Sequence, residues 1–186
     1  MRGARVCLQF CGFGGQGIVL SSIIFGTAAV LTEGLNAVQT QSYGSEARGG
    51  ECQAELILAR APIHSPLADE VDILVAMSQS ALVKYLERLY AGGALIVDPE
   101  LVQPPDRSDL QIARVPATEI AAGLGARIAA NMVMLGFLQQ ATGLVSREGL
   151  VDTIRNHVPE AYVDVNLLAA ARGVSVAQEQ GFTVGT

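Results

Sequence analysis

The sequence predicts a Rossmann-like α/β fold, a mostly parallel sheet with helices on both faces, in one domain spanning residues 1–186. Three observations point to it. Residues 5–11 (RVCLQFC) form a short apolar run that ends in glycines and leads into a nearly all-apolar segment, so the chain opens strand, turn, helix. Residues 71–77 (VDILVAM) are almost continuously apolar, the mark of a strand buried on both faces of a parallel sheet. After Ser78, Leu82, Tyr85, Leu86 and Leu89 recur at helical spacing until Gly92 and Gly93 lead into a strand over residues 94–98, which completes a βαβ unit.

The elements follow in order. Residues 18–31 are apolar on nearly every face, as a helix packed against a sheet requires. Residues 35–42 (LNAVQTQS) and 52–59 (CQAELILA) read as strands flanking a polar, glycine-rich loop over residues 43–51. Ser78 is placed to cap the helix that follows residues 71–77. A further strand falls at residues 110–115, and helices at about 127–141, 146–156 and 159–171. There is no internal repeat and no low-complexity linker.

Composition narrows the function. Half of the residues are hydrophobic and 16% are charged, with a mean hydropathy of +0.37, so part of the apolar surface is expected to face partner subunits and the isolated chain to self-associate. A net charge of −6 and no lysine or arginine cluster exclude a nucleic-acid surface. Cys7, Cys11 and Cys52 are odd in number and two of them lie in one predicted strand, which argues against a disulfide framework and for the reducing cytoplasm. Arg2 and Arg5 ahead of the apolar residues 6–30 mimic a signal peptide or membrane anchor. Gln9, Gln16, Ser21, Ser22 and the glycines at 12, 14, 15 and 17 interrupt that run, leaving no apolar span of the roughly 20 residues a bilayer needs.

Gly12-Phe13-Gly14-Gly15-Gln16-Gly17 satisfies G-x-G-x-x-G between a strand and a helix, where free N–H groups and the helix dipole can hold an anion. A dinucleotide site also needs an acid closing the second strand to bind ribose hydroxyls. Residues 39–43 are Gln, Thr, Gln, Ser and Tyr, and Glu33 falls in the turn before the strand, so NAD is disfavoured. The glycines then serve a tight turn with close helix–sheet packing, an anion site, or an interface.

Two segments carry a more specific signal when taken together: GFGGQGIVLSS at residues 12–22 and QSYGSEARGGE at residues 41–51. With SPLADEVDILVAMSQSALVKY at 65–85, the strand ending at Asp98 and Pro99, and RIAANMVMLG at 127–136, the chain resembles the gamma subunit of 2-oxoacid:ferredoxin oxidoreductases over nearly its whole length. The resemblance implies a subunit of a complex that converts a 2-oxoacid, coenzyme A and oxidised ferredoxin into acyl-CoA, carbon dioxide and reduced ferredoxin. It further implies that thiamine diphosphate, magnesium and iron–sulfur clusters sit in alpha, beta and delta-type partners, that this chain alone binds no cofactor and has no catalytic residue, and that ferredoxin is met through the complex. The 2-oxoacid implied is 2-oxoglutarate, with pyruvate, branched-chain and aryl-pyruvate substrates as alternatives. By the same resemblance the loops lie near the approach of coenzyme A, which makes Gly12, Gly14, Gly15, Gln16, Gly17, Tyr43, Arg48, Gly49 and Gly50 the candidate binding residues. The competing reading is a stand-alone nucleotide- or dinucleotide-binding dehydrogenase domain.

The residues agree with that division of labour. Three cysteines without a C-x-x-C-x-x-C run cannot supply the four thiolates of a [4Fe–4S] cluster, and the segment around Asp98 lacks the G-D-G…N spacing of a thiamine site. Cys7 and Cys11 share one strand face and read as packing, His64 as a solvated loop residue, and His157 as isolated. Arg48, between Glu46 and two glycines, suits a bidentate phosphate contact and an intersubunit ion pair equally. Asn131 and residues 132–135 lie on an apolar helix suited to packing or subunit contact. In a parallel doubly wound sheet the first two strands would be neighbours, so the two glycine-rich loops are expected to meet at their carboxyl ends.

Overall fold

β1 (Arg5–Phe13) is buried at every position between its end residues and forms the middle of the sheet. The computed structural model describes residues 5–43 and 50–185. After β1 come α1 (Ile18–Glu33), β2 (Asn36–Tyr43), β3 (Glu51–Ala59), β4 (Val71–Ala76), α2 (Gln79–Tyr85), β5 (Leu89–Val97) and β6 (Gln111–Arg114). The chain closes with α3 (Ala117–Gly123), α4 (Ala130–Thr142), α5 (Arg147–His157) and α6 (Val163–Gln180). The strand order is β2-β3-β1-β4-β5-β6, with β1, β4, β5 and β6 parallel and β3 antiparallel to both its neighbours.

The mostly parallel α/β sheet is as the sequence predicts, but β1 and β2 are not neighbours. The segment between Tyr43 and Glu51 is too short for a parallel crossover, which takes about a dozen residues or more. The chain therefore returns antiparallel as β3, and β3 occupies the place beside β1.

Alternation along the strands divides the core into two layers. Val6, Leu8 and Phe10 of β1, with Ile73, Val75 and Ile96, face Ile24 and Phe25 of α1, Phe137 of α4, Ile154 of α5 and Ala169 of α6. Cys7, Cys11, Leu74 and Leu95 face the other way, against Ala81 and Leu82 of α2. Helices thus cover both faces, five on one and α2 on the other. Burial pushes the Cys7 and Cys11 thiols up to about 12, Cys7 helped by the Glu55 and Asp72 carboxylates, so both are neutral packing groups.

Several boundaries differ from those the sequence suggests. Ser78 does cap α2, its hydroxyl accepting the Ala81 N–H at 3.3 Å, yet α2 ends at Tyr85 and a 3₁₀ turn over Leu86–Arg88 follows. Leu89 belongs to β5, where Val71 pairs with Leu89 but Ile73 with Ala94; the extra residues bulge through Gly92 at φ 97°. A helical apolar spacing was therefore shared between two elements. α3 escaped the sequence reading, since its seven residues lack a side-chain N-cap and a full amphipathic period. Among the described residues no helix is long and apolar enough to cross a membrane.

α4 and α6 cross in close contact because each carries a glycine at the crossing. A Cβ added at Gly136 would collide with the Ala170 carbonyl oxygen, and one at Gly173 with the Val133 carbonyl oxygen. Both oxygens are backbone and cannot swing aside. We expect Gly136→Ala or Gly173→Ala to cost about 1–3 kcal/mol or more, lowering the melting temperature by roughly 2–4 °C per kcal/mol. Gly123→Ala, with nothing within 4 Å of the added Cβ, should change it little; thermal unfolding of the three variants checks the contrast.

Candidate functional site

The turn after β1 is built by glycine conformations and one carboxamide. Gly15 and Gly17 hold φ of 98° and 73°, the left-handed region that favours glycine, and Gly17 stands as the N-cap of α1 without a side-chain cap. Gly17 is required twice over, since a Cβ there would strike the Asn131 carboxamide on α4. Gln16 folds back into the sheet. Its Oε1 accepts the Phe13 N–H at 2.6 Å and its Nε2 donates to the Met77 carbonyl at 2.8 Å, so one side chain ties the carboxyl ends of β1 and β4 together.

That position has a topological meaning. From β1 the chain turns toward β2 and β3; from β4 it turns the opposite way, toward β5 and β6. The crevice between β1 and β4 is the switch point where open α/β sheets receive ligands. Here the chain's own Gln16 amide spans it.

Gly50, the described end of the second glycine-rich segment, is brought to the turn by strand pairing rather than by neighbouring parallel strands. The second loop leads into β3, and β3 pairs with β1 so that Phe13 lies opposite Glu51. Gly14 N–H then donates to the Gly50 carbonyl at 3.0 Å. Gly12 lies within β1 opposite Cys52, and Tyr43 ends β2. Arg48 and Gly49 lie outside the described residues, so the anion contact expected of Arg48 has no structural counterpart to report. The turn's own donors are partly spent, with Gly14 bonded to Gly50 and Gln16 N–H to the Phe13 carbonyl at 3.2 Å.

What the turn borders is an apolar cleft of about 660 Å³. One wall is the turn with the first residues of α1, Ile18 to Leu20; the other walls come from residues 125–132 and from the start of α6 with Val158 and Pro159. Three large apolar side chains at the rim are open to solvent: Phe13 at 41%, Tyr162 at 57% and Ile128 at 77% exposure. Polar groups are few. Asn131, buried, holds its amide 3.5 Å from the Gly17 carbonyl and 3.4 Å from the Ser21 hydroxyl, while the Asn166 amide donates to the Tyr162 carbonyl at 2.8 Å. Among the described residues no lysine or arginine lines the cleft. Cys52 lies against it, its thiol raised by burial.

Charged pairs stand at the margins. Arg127 and Glu100 are 2.6 Å apart, and the Lys84 ammonium bonded to Glu51 at 3.0 Å holds that carboxyl below the usual range. Both pairs are too exposed to contribute much stability. Asp98 is a structural acid, fully buried at the end of β5. Its carboxylate accepts the Glu100 N–H at 3.0 Å, the Thr118 N–H at 2.7 Å and the Thr118 hydroxyl at 2.5 Å, fixing the start of α3. Among the described residues no three His, Cys, Asp or Glu side chains gather into a metal-holding group.

Sequence reasoning missed the cleft and its rim. The signals were an aromatic residue among glycines at Phe13, an exposed isoleucine beside Arg127, and an asparagine inside an apolar helix, none of which specifies a partner by itself. Gln16 was singled out as a ligand contact, and its carboxamide is engaged within the chain. Gln16→Ala would strand the Phe13 N–H and the Met77 carbonyl; we expect a loss of about 1–3 kcal/mol in denaturant unfolding. Unchanged stability would mean that water replaces the carboxamide without cost.

Comparison with known proteins gives this geometry a family. The model for pyruvate ferredoxin/flavodoxin oxidoreductase matches residues 7–176. The 2-oxoglutarate synthase subunit KorC of Methanothermobacter marburgensis is 44% identical over 179 residues, covering 92% of this chain and 96% of that protein. The gamma subunit of keto/oxoacid ferredoxin oxidoreductase from Geobacter sulfurreducens superposes with a TM-score of 0.82 at 35% identity, covering 94% of this chain and 99% of that one. The fold also recurs in the 2-oxoglutarate:ferredoxin oxidoreductase of Magnetococcus marinus, solved with 2-oxoglutarate, coenzyme A and succinyl-CoA bound, at a TM-score of 0.89 and 21% identity; the match covers 99% of this chain and 33% of that one. Because the matched span runs from the buried part of β1 into α6, the whole sheet and the turn are included, and the chain belongs to the pyruvate ferredoxin/flavodoxin oxidoreductase family.

Proposed function

We propose that the chain is the gamma-type subunit of a 2-oxoglutarate:ferredoxin oxidoreductase, in which 2-oxoglutarate, coenzyme A and oxidised ferredoxin give succinyl-CoA, carbon dioxide and reduced ferredoxin. The observation that carries this reading is the 44% identity, over nearly the full length of both chains, to the 2-oxoglutarate synthase subunit of Methanothermobacter marburgensis. In this reading thiamine diphosphate, magnesium and the iron–sulfur clusters belong to alpha, beta and delta-type partners. Among the described residues no three His, Cys, Asp or Glu side chains gather, and Cys7 and Cys11 are packed in the core layer beneath α2, which supports placing those groups in the partners.

The contribution left to this chain is shape and backbone polarity. The cleft offers apolar walls, an exposed rim and the uncapped start of α1, features suited to seating a partner surface beside the approach of coenzyme A. A stand-alone dinucleotide dehydrogenase is not supported. β2 ends without the acid that binds ribose, and the Gln16 amide spans the crevice where a pyrophosphate would enter.

The complex purified with all its chains tests the substrate assignment. Coenzyme A-dependent ferredoxin reduction should proceed with a kcat/KM for 2-oxoglutarate at least about tenfold above that for pyruvate or a branched-chain 2-oxoacid, a gap of roughly 1.4 kcal/mol. A preference for pyruvate would overturn it. The loop reading has its own test in Arg48→Ala: loss of one desolvated charge-assisted contact of about 1.5–3 kcal/mol should raise the KM for coenzyme A roughly tenfold to hundredfold in an assembled complex. An unchanged KM with full assembly would remove Arg48 from the coenzyme A site, and failed assembly would assign it to a subunit interface.

A further inference from the structure

We propose that the cleft beside the turn binds one extended segment of a neighbouring subunit through a backbone peptide group, with Asn131 and Asn166 as the residues that receive its N–H donors. The inference rests on the subunit role proposed above. Although the cleft is apolar, these two carboxamides line it, at 3% and 7% exposure. Each commits its nitrogen inside the chain, Asn131 toward the Gly17 carbonyl and the Ser21 hydroxyl, Asn166 to the Tyr162 carbonyl. Among the described residues neither carboxamide oxygen receives a donor. The described side-chain atoms that are both unbonded and sealed from solvent are the Ser22 hydroxyl and the Gln139 oxygen, so the two asparagine oxygens open outward, into the cleft that both residues line.

The start of α1 supplies the complementary groups. The first bond of the helix is from the Ser21 N–H to the Gly17 carbonyl, and Gly17 has no side chain to cap what precedes it. The N–H groups of Ile18, Val19 and Leu20 therefore lack helical partners, and these three residues wall the same cleft. Donors on one wall and acceptors on the others match a neutral amide, which offers one C=O and one N–H. An anion does not fit. The two oxygens repel it, and among the described residues no ionised side chain lines the cleft to offset its desolvation.

The rim selects a polypeptide over a small molecule that carries an amide. Phe13, Ile128 and Tyr162 stand on three separate segments at 41%, 77% and 57% exposure. A molecule that fills about 660 Å³ leaves those outward faces in water. A chain that enters and leaves the cleft covers them as well, giving the buried apolar contact with few polar groups that marks the centre of an interface. The cleft is roughly 9 Å across, so an extended segment crosses it in about three residues.

Photocross-linking in the purified complex tests the occupant. A benzophenone side chain in place of Ile128 or of Tyr162 should join this chain to a single partner subunit, at sites within about six residues of each other. The same group in place of Val83, 68% exposed on α2 across the sheet, should not reach that stretch. Asn131→Leu keeps the shape of the side chain and gives up internal contacts of only 3.5 and 3.4 Å, so the melt of the full chain should stay near parental. On dilution its complex should come apart at about tenfold higher concentration, and Ile128→Asp, at an exposed position, should do the same. No cross-link from either rim position, or links scattered over several subunits, would overturn the proposal. So would an Asn131→Leu complex that stays assembled while its KM for coenzyme A rises about tenfold, since the cleft would then hold a small molecule. Cross-links to one segment in a complex that prefers another 2-oxoacid would uphold this inference and overturn the substrate assignment alone.

Discussion

The Gln16 carboxamide is the contact on which the rest of the site depends. It joins the Phe13 N–H at the end of β1 to the Met77 carbonyl at the end of β4 across the crevice where the sheet's connections diverge. With those ends fixed, the turn must reverse sharply over Gly15 and Gly17, and α1 starts directly above the sheet. Close packing follows, since Gly17 leaves room for Asn131 and Gly26 lets α1 sit against Leu56. The cleft outside the turn results from the same constraint. An occupied crevice moves the available surface outward, onto apolar side chains of the turn, α4 and α6.

That displacement explains why a Rossmann-like chain need not bind a dinucleotide. The fold supplies a strand, a turn and a helix N-terminus, but ligand identity is decided by the groups at the switch point. Here they are a neutral amide spanning two strands, a strand end without an acid, and a cleft without a lining cation among the described residues. Such a surface is suited to packing against another protein more than to holding a phosphate in water.

Much of the fold was legible because burial on both faces leaves a plain record. The continuous apolar run of β4, the glycine-bounded β1 and the Ser78 cap were read directly from residue type and spacing. The antiparallel return of β3 was not, because local pattern does not say which side of β1 a strand will take; only the shortness of residues 44–50 bore on it. Leu89 satisfied a helical period yet serves β5, since the bulge at Gly92 is a tertiary fit to β4. At the site, the glycines were found but Gln16 was given an outward role, as side-chain direction depends on partners more than sixty residues away. Phe13, Ile128 and Tyr162 converge only in three dimensions, so no window of sequence could display the rim.

In the function proposed for this chain, its cleft is the surface presented to other subunits of the oxidoreductase. Hydrogen–deuterium exchange on the full chain, free and within the purified complex, tests it most directly. The account predicts slowed exchange on assembly at residues 14–20, 125–132 and 158–166, the three stretches that wall the cleft. Unchanged exchange at all three, with protection elsewhere on the chain, would contradict it.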